Sequence, residues 1–161
     1  MYANALYQRG FIKEGFKVIQ ALYEHCSDFE KSRIYPGVPE YINGKGRGMY
    51  HYLTGAASWL MMTAITEMFG VKGKLGDLAF EPKLLEEQFD KEGQATLRIT
   101  FANRKLSITY HNKSKKSPQL YKVKEIRVNN QLYTNNQPEI KRIDIEKLDS
   151  KVEHKIEVIL E

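Results

Sequence analysis

The sequence predicts an α+β protein, with helices first and an antiparallel β-sandwich second. Three observations carry that prediction. Apolar residues recur at helical steps ahead of Gly76, apolar and polar residues alternate after it, and Asn-containing turn signals punctuate the second stretch. The expected division is a helical region over 1–76 and a β-sandwich over 77–161, with the boundary near 71–77.

Met1 to Gln8 is helix-compatible, and Arg9-Gly10 breaks it. A helix this short needs a packing partner, since isolated helices are marginal below about 12–15 residues. It reads as the tail of a longer helix. Ile12, Phe16, Ile19 and Tyr23 then form an apolar stripe opposite Lys13, Lys17, Gln20 and Glu24, the pattern of an amphipathic helix. Gly15 within it costs about 1 kcal/mol against alanine, which predicts close packing on a neighbour.

From Ser27 to Gly48 the helical period is lost among Pro36, Gly37, Pro39, Gly44, Gly46 and Gly48. Interleaved Ile34, Tyr35, Val38, Tyr41 and Ile42 predict an ordered loop on a surface rather than a flexible one. Thr54 then precedes Gly55 to Phe69, which is apolar or small on nearly every side. That pattern predicts a buried helix capped by Thr54 and stopped by Gly70.

Candidate strands follow at Leu78 to Glu81, Gln94 to Phe101, Lys105 to His111, Tyr121 to Val128, Gln131 to Tyr133, Glu139 to Ile143 and His154 to Leu160. Asn103-Arg104 and Asn129-Asn130 supply hairpin turns.

Charge and cysteine usage narrow the function classes. The net charge is +5, but residues up to Gly76 carry 9 basic against 6 acidic side chains, and the remainder 16 against 14. Neither half holds a field of one sign, which argues against a nucleic-acid partner. The densest basic run, Lys113, Lys115 and Lys116, reads as a solvated turn. The single Cys26 permits no internal disulfide and reads as a structural thiol, which suits a reducing cytoplasm. No apolar stretch reaches the roughly 20 residues of a membrane span, and no signal peptide opens the chain.

The segment Gly46 to Trp59 carries the most chemistry. It leads a glycine-rich approach onto a helix whose first N–H groups lack intrahelical partners and sit at the positive end of the dipole. Gly55, Ala56 and Ala57 leave those donors open, and Thr54 adds a hydroxyl, so an anion such as phosphate is well received there. A plainer reading stands beside it: Thr54 merely caps the helix, and the small residues allow close packing. No Lys-Ser or Lys-Thr pair follows the glycines, so this is not a phosphate loop. His25, His111 and His154 show no metal-ligand spacing, and Ser58 lacks a nucleophile-elbow setting. No catalytic residue, metal ligand or organic cofactor is assigned.

Tyr52-Leu53-Thr54-Gly55-Ala56-Ala57-Ser58-Trp59 resembles a stretch near the C-terminus of the inverting phosphorylases that cleave cellobiose, chitobiose and β-1,2-linked gluco-oligosaccharides. Arg33 to Tyr41 upstream, and Phe69 to Gly73, Gly76 to Leu78 and Glu81-Pro82 downstream, extend the likeness in the family's order. It covers roughly residues 1–112 and is closest to the β-1,2-oligoglucan branch.

The resemblance implies helices from the end of an (α/α)6 barrel flanked by β-domains. It implies a β-glucan oligosaccharide substrate and inorganic phosphate as co-substrate, with Thr54 and Gly55 contacting the phosphate. An inverting hydrolase needs a second carboxylate to activate water, whereas phosphate is already an anionic nucleophile that positioning donors can serve. Arg47 and His51 are candidates for such contacts; a solvated loop arginine and a packing histidine are the plainer alternatives. Glu40, beside Tyr35 and Tyr41, suits sugar hydroxyls, though an ordinary surface glutamate fits too.

The family's general acid, and a histidine that helps hold phosphate, have no counterpart in these residues. The expectation is therefore a truncated reading frame, an expressed piece or half of a split enzyme, inactive alone. Its expected partners are the missing barrel portion or another copy of itself. The competing expectation is a stand-alone carbohydrate-binding module built on the β-rich half.

Overall fold

The computed structural model describes residues 1–34, 37–50, 55–134 and 137–161. It is an α+β structure dividing into two compact units, Met1–Met68 and Phe69–Glu161. The expected boundary lay a few residues later, because the hairpin at 71–80 carries little alternation to separate it from the preceding helix.

The first unit opens with α1 (Tyr2–Gln8) and α2 (Ile12–Ser27), joined through Gly10. The two helices pack where Gly15 meets Tyr7: a β-carbon at Gly15 would stand 2.7 Å from the Tyr7 ring. Tyr7 is fully buried, and that burial pushes its phenol pKa up. The face of α2 turned inward carries Ile12, Gly15 and Cys26, while Tyr23, expected in the apolar stripe, is exposed. Gly15 and Cys26 lie about 60–80° around the helix from Tyr23, which places Tyr23 at the edge of the contact face. Cys26 is buried, and desolvation raises its thiol pKa, in line with a structural role.

The glycine- and proline-rich loop is ordered where described and contains regular structure the sequence did not reveal. Asp28 caps a four-residue helix, α3 (Phe29–Ser32), its Oδ1 accepting from the amides of Glu30 and Lys31. A two-stranded antiparallel ribbon, β1 (Tyr41–Ile42) and β2 (Gly48–Met49), follows. Helix α4 is described over Gly55–Thr63 and runs into a π-helical turn at Ala64–Met68. There the Thr63 and Thr66 hydroxyls donate to the carbonyls of Trp59 and Met62, four residues back, a side-chain bonding pattern that loosens helices. Gly70, at φ +64°, follows the turn as the expected stop; a β-carbon there would stand 2.0 Å from the Glu81 carbonyl oxygen. The interior position expected for α4 is not met: Trp59, Met61 and Met62 are 40%, 61% and 50% exposed.

Among the described residues the second unit holds two sheets. One is a three-stranded sheet in the order β3-β4-β9, from β3 (Val71–Lys74), β4 (Asp77–Phe80) and β9 (Glu139–Ile140). The other has five strands in the order β5-β6-β10-β7-β8. These are β5 (Gln94–Phe101), β6 (Arg104–His111), β7 (Val123–Val128), β8 (Gln131–Tyr133) and β10 (Glu153–Leu160). Three hairpins turn on two residues with positive φ, Leu75-Gly76, Ala102-Asn103 and Asn129-Asn130, as mirror-image turns require. The second of these lies one residue ahead of the expected Asn103-Arg104.

Two further expectations are corrected. The sheet is not wholly antiparallel: β10 lies between β6, to which it runs parallel, and antiparallel β7. Alternation fixes which face a residue occupies and says nothing of strand direction. The expected strand through Ile143 ends at Ile140, and a short helix, α5 (Arg142–Glu146), follows. Distant residues hold its two ends. Asp77 Oδ1 accepts from the Arg142 amide at 2.9 Å, and the Arg104 guanidinium donates to the carbonyls of Glu146 and Leu148.

The core of this unit is formed by Leu106, Ile108 and Tyr110 on β6 with Ile156, Val158 and Leu160 on β10. Leu78, Phe80 and Leu84 are buried in the same unit. Each such side chain contributes about 1.5–3 kcal/mol through burial. Tyr121 sits buried among them with its hydroxyl at 2.8 Å from the Leu84 amide, and Tyr110 donates to the Phe69 carbonyl at 2.6 Å. Asn112 closes the turn at 112–116 through both amide atoms and leaves Lys113 and Lys115 in solvent.

Candidate functional site

Of the residues nominated from sequence, Gly55, Glu40 and Arg47 are placed; Thr54, His51 and Tyr35 lie outside the described residues. Gly55, the first described residue of α4, is exposed, and Ala56 and Ala57 follow it half-buried. Glu40 comes to that helix end from the β1–β2 ribbon. Its amide donates to the Tyr50 carbonyl at 3.0 Å, which fixes its backbone beside the ribbon. Its carboxylate Oε2 lies 3.4 Å from the Ala56 amide nitrogen, and a β-carbon at Gly55 would meet the two carboxylate oxygens at 3.8 and 3.9 Å.

The amino end of α4 is therefore already occupied by an anion, one supplied by the chain itself. A negative charge there is favourable by roughly 0.3–1 kcal/mol. The contact is longer than the 2.7–3.2 Å of a well-formed N–H···O bond, so the carboxylate holds the helix end loosely. Two anions cannot share the position without strong repulsion, so phosphate and the Glu40 carboxylate are alternatives there.

Beside Glu40 stand two exposed tyrosines. The rings of Tyr41 and Tyr50 lie 5.7 Å apart, centroid to centroid, and are tilted by 52°. They are 50% and 60% exposed, so their faces are available to a ligand. Tyr50 has φ +54°, a left-handed conformation that costs a bulky residue about 1–3 kcal/mol. The sequence reading missed Tyr50. Its signal was present in the Gly-Met-Tyr step, where the ribbon must leave β2 and turn toward α4.

Arg47 goes elsewhere. It lines a cleft of about 610 Å³ with Glu30, Lys31, Arg33, Asn43 and Lys45, a set that includes neither Glu40 nor Gly55. The structure thus brings Glu40 and Gly55 together and separates Arg47 from them. Among the described residues no group of three or more His, Cys, Asp or Glu side chains is arranged to hold a metal ion. No helix among them is long and apolar enough to cross a membrane.

A scan against models of protein families finds no match for this chain, and a search of curated proteins finds none either. The phosphorylase resemblance rests on the quoted residues alone.

Proposed function

We propose that this chain is the C-terminal part of an inverting glycoside phosphorylase acting on β-linked gluco-oligosaccharides. In this reading the first unit supplies the last helices of an (α/α)6 barrel and the second is its flanking β-sandwich. The observation that carries the reading is the exposed start of α4 at Gly55, bordered by the Glu40 carboxylate and the Tyr41–Tyr50 pair. A helix start of small residues suits phosphate once the Glu40 carboxylate is displaced, while a carboxylate beside aromatic faces suits a pyranose.

The apolar surface of the first unit supports the same reading. Only Tyr7, Ile12 and Cys26 are buried among its described hydrophobic residues, whereas Tyr2, Tyr23, Trp59, Met61 and Met62 are exposed. Helices of this composition need a further surface to pack on. The missing barrel portion is the proposed partner, and a cytoplasmic setting is proposed to match the lone buried thiol.

The proposed reaction transfers a glucosyl group from the sugar leaving oxygen to a phosphate oxygen with inversion, giving α-glucose 1-phosphate. An acid supplied by the partner portion protonates the leaving oxygen. The amides at the start of α4, with Thr54, hold the phosphate once Glu40 swings away to accept hydrogen bonds from sugar hydroxyls. His51 is proposed as a further contact to phosphate.

The alternative of a stand-alone carbohydrate-binding β-module draws less support from the three tyrosines nominated for it. Tyr110 and Tyr121 are buried, and the Tyr133 hydroxyl is tied to Asp144 at 2.8 Å.

Co-expression with the preceding barrel portion of a β-1,2-oligoglucan phosphorylase tests the proposal. Phosphate-dependent release of glucose 1-phosphate is expected from the pair and from neither part alone, and Thr54→Ala in this chain is expected to lower it. Release by this chain alone, or activity of the pair indifferent to Thr54→Ala and Glu40→Ala, would contradict the reading.

A further inference from the structure

A cleft of about 610 Å³ between α3 and the tip of the β1–β2 ribbon carries an excess of positive charge. Four cationic side chains line it, Lys31, Arg33, Lys45 and Arg47, against one carboxylate, Glu30. Two of the cations are neutralised at the rim. Arg33 pairs with Glu30 at 2.9 Å and Lys31 with Asp28 at 3.0 Å. Lys45 and Arg47 form no ion pair among the described residues.

The segment presenting these two cations is firmly built. Asn43 Oδ1 accepts from the amides of both Lys45 and Arg47, at 2.9 and 3.1 Å. The Asn43 amide donates to the Arg47 carbonyl, and the Gly46 amide to the Asn43 carbonyl, each at 2.9 Å. The His25 ring on α2 donates from Nε2 to the Gly46 carbonyl at 2.7 Å, anchoring the tip from outside. Lys45 and Arg47, two residues apart on this pinned tip, both reach the cleft. With Oδ1 used by the turn, the Asn43 side-chain NH₂ remains as a donor.

We propose that this cleft binds a phosphoryl group, carried by inorganic phosphate or by a sugar phosphate. A tetrahedral dianion matches the Arg47 guanidinium and the Lys45 ammonium better than a single carboxylate does, because it offers several oxygens to both a fork and a point charge. The volume lies in the range of small-molecule sites. The site is separate from the start of α4 and does not depend on the phosphorylase reading.

The test is an amide-resolved NMR titration of the isotope-labelled chain at low ionic strength. Inorganic phosphate and glucose 6-phosphate serve as probes, and sodium chloride at matched ionic strength as the control. Saturable shifts are expected at the amides of Asn43, Lys45, Gly46 and Arg47 with at least one phosphoryl probe. The tighter of the two identifies free phosphate or the ester as the ligand. The double variant Lys45→Gln, Arg47→Gln should weaken binding about tenfold or more while its other amide shifts report an intact fold. Arg47→Lys, which keeps charge but loses the fork, should fall between.

Shifts at these amides that match the chloride control would overturn the proposal, as would binding unchanged in the double variant. A response at Gly55 and Ala56 with none at 43–47 would overturn it and leave the phosphorylase reading standing; the reverse pattern would do the opposite.

Discussion

The Glu40 carboxylate covers the first turn of α4, with Oε2 3.4 Å from the Ala56 amide nitrogen. A residue sixteen positions upstream thus supplies the negative charge that this helix end favours. Because the bond is long and Glu40 is exposed, its removal should cost little. Glu40→Gln is expected to lower the stability of the first unit by about 1 kcal/mol or less, read from urea unfolding. A loss of several kcal/mol would mean that the carboxylate is a structural cap that no phosphate displaces.

The contact between Gly15 and Tyr7 sets a second expectation. Alanine is the better helix former by about 1 kcal/mol, so an open site would gain stability from Gly15→Ala. Here the new methyl would meet the Tyr7 ring at 2.7 Å, and that ring is fully buried. Gly15→Ala is expected to destabilise by about 1–3 kcal/mol, the usual range for overpacking. Pairing it with Tyr7→Leu should recover part of the loss; no recovery would place the strain elsewhere.

Asp77 joins the β3–β4 hairpin to the start of α5. Its carboxylate takes the Lys141 ammonium at 2.8 Å and the Arg142 amide at 2.9 Å, and both hold its pKa below the usual carboxylate range. A depressed folded-state pKa gives stability that is fully present above the unfolded value of about 3.9 and lost as pH falls through the folded one. Asp77→Asn should therefore be less stable than the parent chain at pH 7, with the gap narrowing as pH drops below about 4. A gap of constant size across that window would show that the charge is not what stabilises the contact.

The exposure of Trp59, Met61 and Met62 predicts self-association of the isolated chain. Light scattering should give a mass above that of a monomer, accompanied by fluorescence from a dye that binds apolar surface. Met61→Lys with Met62→Lys should shift the chain toward monomer without loss of helical circular dichroism. A clean monomer of the parent chain with no dye binding would contradict this.

The fold class, α2 and the principal strands were legible because each rests on a local period, and α4 because an apolar run is bracketed by Thr54 and Gly70. The 3.6-residue pattern marked α2, and the two-residue alternation marked β5, β6 and β10. What stayed hidden depends on partners distant in sequence. The parallel pairing of β10 with β6 leaves no trace in alternation, and α5 is stabilised at its ends by Asp77 and Arg104. At the candidate site, the helix start at Gly55 was legible as an anion-favouring position. That Glu40 stands over it was not, because the link crosses an irregular loop. Nor did spacing show that Arg47, only eight residues before Gly55, belongs to a different surface.

The most direct measurement is phosphate binding at the amino end of α4, followed by the NMR amide shifts of Gly55 and Ala56 in the parent chain and in Glu40→Gln. If these amides receive a phosphoryl oxygen, both should shift saturably, and more tightly in Glu40→Gln, where the competing negative charge is gone. Amides that stay unmoved by phosphate in both proteins would contradict the phosphorylase account.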